Sequence, residues 1–149
     1  MAGAIAACSP SGNAASATMG QSPAGLAEVP LTVTTAAGKT EKFTVEVAKT
    51  PAEQEKGLMF RQQMAPDHGM IFPYDPPVSA IFWMKNTYIP LDLVFVRANG
   101  TIARIEENAV PLSEDQIPAG EPIAAVLEIN GGRSAQLGIK AGDRVSWQH

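Results

Sequence analysis

Leu91-Asp92-Leu93-Val94-Phe95-Val96-Arg97-Ala98-Asn99-Gly100-Thr101-Ile102-Ala103-Arg104-Ile105-Glu106 is the stretch that decides the fold. Two runs rich in branched and aromatic residues flank Ala98-Asn99-Gly100. Asn-Gly between apolar runs is the strongest short-range sign of a β-hairpin, because the tight turn needs positive φ at its central residues. The same character extends in both directions. Leu31 and Val33 alternate with Thr32 and Thr34, and Phe43, Val45 and Val47 alternate with Thr44 and Glu46. That period of two predicts strands, with a hairpin break at Ala36-Ala37-Gly38-Lys39. Met70 to Tyr74 reads as a short strand and Asp75-Pro76-Pro77 as a turn. Val78 to Lys85 is apolar at nearly every position, which predicts a central strand covered on both sides. Asn108 to Glu121 reads as a long loop. Ala124 to Ile129 predicts a strand, Asn130-Gly131-Gly132 a tight turn, and Arg144 to Trp147 a last strand.

Helical signals are short. Thr50-Pro51-Ala52-Glu53 is a capping box with Pro at the first helical position, so a helix is expected over Pro51 to Lys56, with Gly57 ending it. Ser134 to Leu137 suits one helical turn closed by Gly138. About eight strands and one or two short helices predict a mostly β, single-domain, jelly-roll-like sandwich or barrel.

The body is expected over residues 29–149. Ahead of it, Ser9 to Glu28 is nearly all Ser, Gly, Ala and Pro, a composition that buries too little surface to fold and suits a flexible tether. Ile5-Ala6-Ala7-Cys8 resembles a bacterial lipobox, in which small residues precede a cysteine that is cleaved and lipidated. Residues 1–28 therefore read as a truncated lipoprotein leader and tether, with Cys8 as the lipidation site; the alternative is an Ala-rich terminus that happens to hold a cysteine. The anchor reading implies an extracytoplasmic protein, periplasmic or on the outer membrane, because Ser9 is not the Asp that resembles an inner-membrane retention signal.

The chain has 149 residues, 45% of them apolar, 17% charged, and a net charge of −4. It has no run of Lys or Arg to track a phosphate backbone, so nucleic acid is not an expected partner. No apolar run approaches the roughly 18 residues of a membrane span, which leaves a lipid anchor as the only expected membrane contact.

The sequence offers little chemistry. It has no G-x-S-x-G elbow, no phosphate-cradling Gly loop and no H-E-x-x-H. Cys8 lies in the leader, and His68 and His149 are the only histidines. No cofactor is expected. Met59, Met64, Met70 and Met84 surround His68 in sequence, and thioethers with imidazole suit Cu(I); the competing reading is that such methionines fill the core. Arg61, Lys85, Asn86, Asp92 and Glu128 each interrupt or end a strongly apolar run, where an unpaired charge costs free energy. They are expected either to pair structurally or to converge beside Trp83 at one end of the sandwich. Lys85 and Asp92, facing each other across the Asn86–Leu91 connection, are the sharpest candidate pair.

Gly57-Leu58-Met59-Phe60-Arg61, Gly69-Met70-Ile71-Phe72 and Phe82-Trp83-Met84-Lys85-Asn86-Thr87-Tyr88-Ile89-Pro90-Leu91-Asp92 resemble the domain-of-unknown-function 192 family. Leu127-Glu128-Ile129-Asn130-Gly131-Gly132 and Leu137-Gly138-Ile139-Lys140-Ala141-Gly142-Asp143 fit as well, so the resemblance runs from about Val29 to Trp147. It implies a jelly-roll-like β fold, often behind a signal peptide in bacteria, and no substrate. Two function classes follow: a non-catalytic extracytoplasmic module binding a small polar ligand or a partner, or an enzyme using Lys85, Asp92 and Glu128 as acid–base groups.

Overall fold

The computed structural model describes residues 20–149. Along the chain run β1 (Glu28–Thr34), β2 (Thr40–Val47), α1 (Pro51–Lys56), β3 (His68–Val78), β4 (Ile81–Phe82), β5 (Leu91–Val96), β6 (Ile102–Ala109), β7 (Ile117–Pro118), β8 (Ile123–Asn130), α2 (Arg133–Leu137) and β9 (Arg144–Trp147). Seven strands form one sheet in the order β6-β5-β8-β3-β2-β1-β9, and β4 pairs with β7 in a small ribbon. The pairing is antiparallel except between β2 and β3. The sheet curls until its edges meet: Thr101 bridges Arg144, and the Val145 N–H donates to the Gly100 carbonyl. The result is a barrel-like mostly β domain with two short helices, as the strand periodicity predicts.

Period two along the strands sorts the core into two layers. Ile71, Val94, Val96, Leu127 and Ile129 fill the inside of the curl with Leu31, Val45 and Val145. Their sequence neighbours Met70, Phe72, Leu93, Phe95 and Val126 point outward and are covered by Leu58, Met84 and Ala119. β5 and β8 are thus packed on both faces, and every residue of β5 is buried. β3 crosses β8 closely: a Cβ on Gly69 would lie 2.5 Å from the Glu128 carbonyl oxygen, so only glycine fits there.

Three expectations need correcting. Val78 to Lys85 is not a central strand: Val78 ends β3, only Ile81–Phe82 is extended beyond it, and Val78, Ile81 and Trp83 are 38%, 59% and 44% exposed. The stretch is a strap over the outer layer, where Phe82 packs edge-on against Phe72 and Phe95. The doubly covered strand is β5, since apolarity reports burial and not position in the sheet. Asp75-Pro76-Pro77 is no turn; it lies within β3, at an irregularity in the β3–β8 register between Pro73 and Val78, where prolines have no N–H for a ladder. Asn108 to Glu121 is not one loop: its start belongs to β6, and it carries β7.

Residues just ahead of Val29 also pair with the body. Gln21 bridges Ala27, and the Val47 N–H donates to the Ala27 carbonyl, which lays residues 20–28 on the sheet. Cys8 lies outside the described residues.

The capping box forms as predicted. The Glu53 N–H donates to Thr50 Oγ1 at 3.1 Å and the Thr50 N–H donates to Glu53 Oε2 at 2.9 Å. Gly57 then ends the helix at φ 48°. Thr50→Ala should cost about 1 kcal/mol in urea unfolding by orphaning one of these donors. An unchanged midpoint would show that the cap contributes nothing.

Candidate functional site

Glu128 is the feature from which the site is built. On β8 it points outward between Met70 of β3 and Leu93 of β5, its partners in register. It is 5% exposed. α1 and the strap roof it over without filling the space, leaving a cavity of about 170 Å³. Phe72, Tyr74 and Glu128 line it from the sheet, and Phe82, Trp83 and Lys85 from the strap. Gly57 comes close beneath the helix end, where an added Cβ would meet Phe72 at 3.3 Å.

No hydrogen-bond donor or cation among the described residues reaches the Glu128 carboxyl. Its charged form therefore loses hydration with no compensation, and burial pushes its pKa up to about 8. Tyr74 responds to the same surroundings: burial, and then the Glu128 charge, push its phenol up to about 12. A second cleft adjoins it, lined by Phe60, Trp83, Lys85 and Asn86. Phe60 and Asn86 both adopt left-handed backbone, at φ 68° and 53°, and the Phe60 N–H donates to the Asn86 carbonyl at 2.8 Å. That bond ties the loop after α1 to the loop after the strap, and Asn86 sits at the rim beside Trp83 and Lys85. Non-glycine residues in such backbone cost free energy and cluster where a site must be held open.

The expected polar set separates into three groups. Trp83, Lys85 and Glu128 line one cavity, and Asn86 lies with Trp83 and Lys85 in the adjoining cleft. Arg61 does not join them. It forms a bidentate pair with Glu46, at 2.5 and 2.8 Å, in a different cleft beside Met64 and His68. Burial raises the Glu46 carboxyl, but hydrogen bonds from Arg61 and Ser22, with the Arg61 charge, outweigh it and hold its pKa below the ordinary value. Asp92 is also elsewhere. Its register partner is Ile129, an inward-facing residue, so Asp92 and Glu128 point to opposite faces of the sheet. Its carboxylate is taken up by the N–H groups of Asn108, Gly132 and Ser134 and by the Ser134 hydroxyl.

The Lys85–Asp92 pair therefore does not exist. Lys85 Nζ lies 5.0 Å from the centre of the Trp83 ring and 4.0 Å from Glu114, with both partners largely solvated. Lys85→Met should change stability by less than about 1 kcal/mol, as for other exposed pairs. A loss of about 3 kcal/mol in urea unfolding would mean a buried partner after all.

The methionines and His68 are dispersed. Met70 and Met84 are buried in the outer core layer, Met59 borders the Glu128 cavity, and Met64 and His68 border the Arg61 cleft. Among the described residues no group of three His, Cys, Asp or Glu is placed to hold a metal ion. Phe72 and Tyr74 were not anticipated as cavity residues. The available signal was their spacing of two on one strand, which puts both on the face that Glu128 shares.

A family model for DUF192, described as uncharacterized ACR, matches residues 32–147. A protein of unknown function from Novosphingobium aromaticivorans DSM 12444 has a solved structure that superposes with a TM-score of 0.85. It is 50% identical, over 89% of this chain and 94% of that one. A "putative transcription regulator" from Sinorhizobium meliloti 1021 superposes with a TM-score of 0.80 at 48% identity, over 82% of this chain and 95% of that one. No curated protein matches.

Proposed function

Because this chain belongs to the uncharacterized DUF192 family, we propose from its own site that it is a non-catalytic binding module holding a small polar ligand in the Glu128 cavity. One observation carries this. A carboxyl group at 5% exposure, with no donor among the described residues, borders an open space of about 170 Å³. A buried carboxyl group without a partner stays protonated up to about pH 8 and costs free energy once ionised, and a perturbed group of this kind beside a cavity marks a candidate site. Its wall combines apolar side chains such as Leu58, Phe72 and Phe82 with polar ones such as Gln54, Thr87 and Lys85, and small-molecule sites are built from both kinds.

The enzyme reading has weaker support. It needs Lys85, Asp92 and Glu128 to act together, and Asp92 faces the other way with its oxygens already engaged. Nor does the description of the Sinorhizobium relative carry over easily, since a net charge of −4 with no Lys/Arg run suits nucleic acid poorly. The Ser/Gly/Ala/Pro-rich leader and Cys8 support an extracytoplasmic, lipid-anchored setting for the module.

The test is a thermal-shift screen of sugars, nucleotides, metals, peptidoglycan fragments and small organic ammonium ions against the wild type and Glu128→Gln. A ligand of the native state must raise the melting temperature. At least one compound is expected to stabilise the wild type and not the variant. If no compound distinguishes the two, the cavity is not a ligand site.

A further inference from the structure

Resting on the reading that the Glu128 cavity binds a ligand, we propose that its occupant is an organic cation of the alkylammonium class, seated among the aromatic side chains with its charge against Glu128. Four aromatic residues, Phe72, Tyr74, Phe82 and Trp83, line the same space as the carboxyl group. Aromatic rings around an acidic residue are how proteins hold ammonium groups, because the ring faces are negative and the surroundings apolar. The volume, about 170 Å³, is close to that of a cavity known to hold a benzene molecule, about 150 Å³. It admits a headgroup of roughly that size and not a nucleotide.

One of the chain's own ammonium groups already lies near one of these rings. Lys85 places its ammonium 5.0 Å from the Trp83 ring centre, held otherwise only by the distant, exposed Glu114. Competing ligand classes fit less well. An anion would meet Glu128 once that group is ionised, whereas below about pH 8 Lys56 and Lys85 are the charges of opposite sign that it would find. A metal ion needs several hard ligands, and the cavity wall supplies one buried carboxylate.

The proposal carries a pH signature. With its pKa at about 8 in the empty cavity, Glu128 must release a proton before it can pair with a cation. Affinity should therefore rise about tenfold per pH unit up to about pH 8 and level off above it. The other titratable or charged groups nearby are Tyr74 on β3, Glu55 and Lys56 on α1, and Lys85 with Glu114 at the strap. One strand further out, Glu46 is paired with Arg61 and Glu106 with Arg104.

Choline, n-butylammonium and the neutral choline isostere 3,3-dimethylbutan-1-ol would be titrated by calorimetry from pH 6 to 9, against the wild type, Glu128→Gln and Trp83→Ala. At least one cation is expected to bind with the rising profile, more than about tenfold tighter than the alcohol at pH 8. Glu128→Gln should abolish the pH dependence, and Trp83→Ala should weaken binding without abolishing it. Equal binding of the alcohol, or no binding of either cation, overturns the cation class. The cavity itself stays a ligand site if a neutral compound from the thermal-shift screen still separates the wild type from Glu128→Gln.

Discussion

Glu128→Gln is expected to stabilise the protein by several kcal/mol at pH 9 and to leave it nearly unchanged at pH 5. The folded-state pKa, about 8, lies above the ordinary 4.5 because the cavity wall strips water from the carboxylate. Between those values the folded chain keeps a proton that the unfolded chain has lost. The unfolded state then binds fewer protons, so stability falls as pH rises through this window. The contribution is fully present below pH 4.5 and fully lost above about pH 8. A gap of about 3.5 pH units, the difference between about 8 and 4.5, corresponds at about 1.4 kcal/mol each to at most about 5 kcal/mol. Gln keeps the shape and has no charge to desolvate. Tyr74, at about 12, titrates outside the window. Urea unfolding of both proteins at pH 5, 7 and 9 measures the difference directly. Parallel pH profiles would show that Glu128 is solvated or paired, and the cavity would lose the feature that marks it as a site. A stabilising substitution at a binding group is the expected trade between stability and function.

The architecture was legible where local chemistry and tertiary packing agree. Asn99-Gly100, the alternation in β1 and β2, and the Thr50 capping box all form because their reasons are local: turn geometry, pleat and an orphan N–H. Val78 to Lys85 was misread because apolar residues are needed equally in a buried strand and in a strap laid over a sheet. Only the partner strands distinguish the two, and sequence does not name them. The polar set shows the same limit. Each of Arg61, Asp92 and Glu128 was rightly singled out as a charge in an apolar run, yet what each does depends on which face it takes. Asp92 and Glu128 come from strands that lie side by side with a register offset of one, which sends one inward and the other outward. Glu46, the partner of Arg61, was visible only as a polar residue in an alternating strand. Nothing in its spacing pointed to Arg61, 15 residues away.

Asp92→Ala is expected to be the most destabilising single substitution in this region, by about 4 kcal/mol or more. Asp92 is fully buried. Its Oδ1 accepts from the Asn108 and Gly132 N–H groups, both at 2.9 Å, and its Oδ2 from the Ser134 N–H at 2.9 Å and hydroxyl at 2.5 Å. These donors lie at positions the main chain cannot satisfy by itself. Asn108 and Gly132 sit in left-handed backbone, at φ 50° and 84°, where β6 and β8 end. Ser134 is in the first turn of α2. One carboxylate thus closes the end of β6, the turn after β8 and the start of α2. Alanine would leave three N–H groups and a hydroxyl without partners, at about 1–3 kcal/mol for each that water fails to reach. Asp92→Asn separates geometry from charge. Its amide oxygen can replace one carboxylate oxygen, while its NH₂ would face donors on the other side, so it should lose less than alanine but still more than about 1 kcal/mol. Both variants can be read in urea unfolding beside a calorimetric titration of whichever ligand the screen identifies. Because Asp92 points away from the cavity, folded Asp92→Asn protein should bind that ligand normally. Unimpaired stability with lost binding would reverse the assignment and return Asp92 to the site.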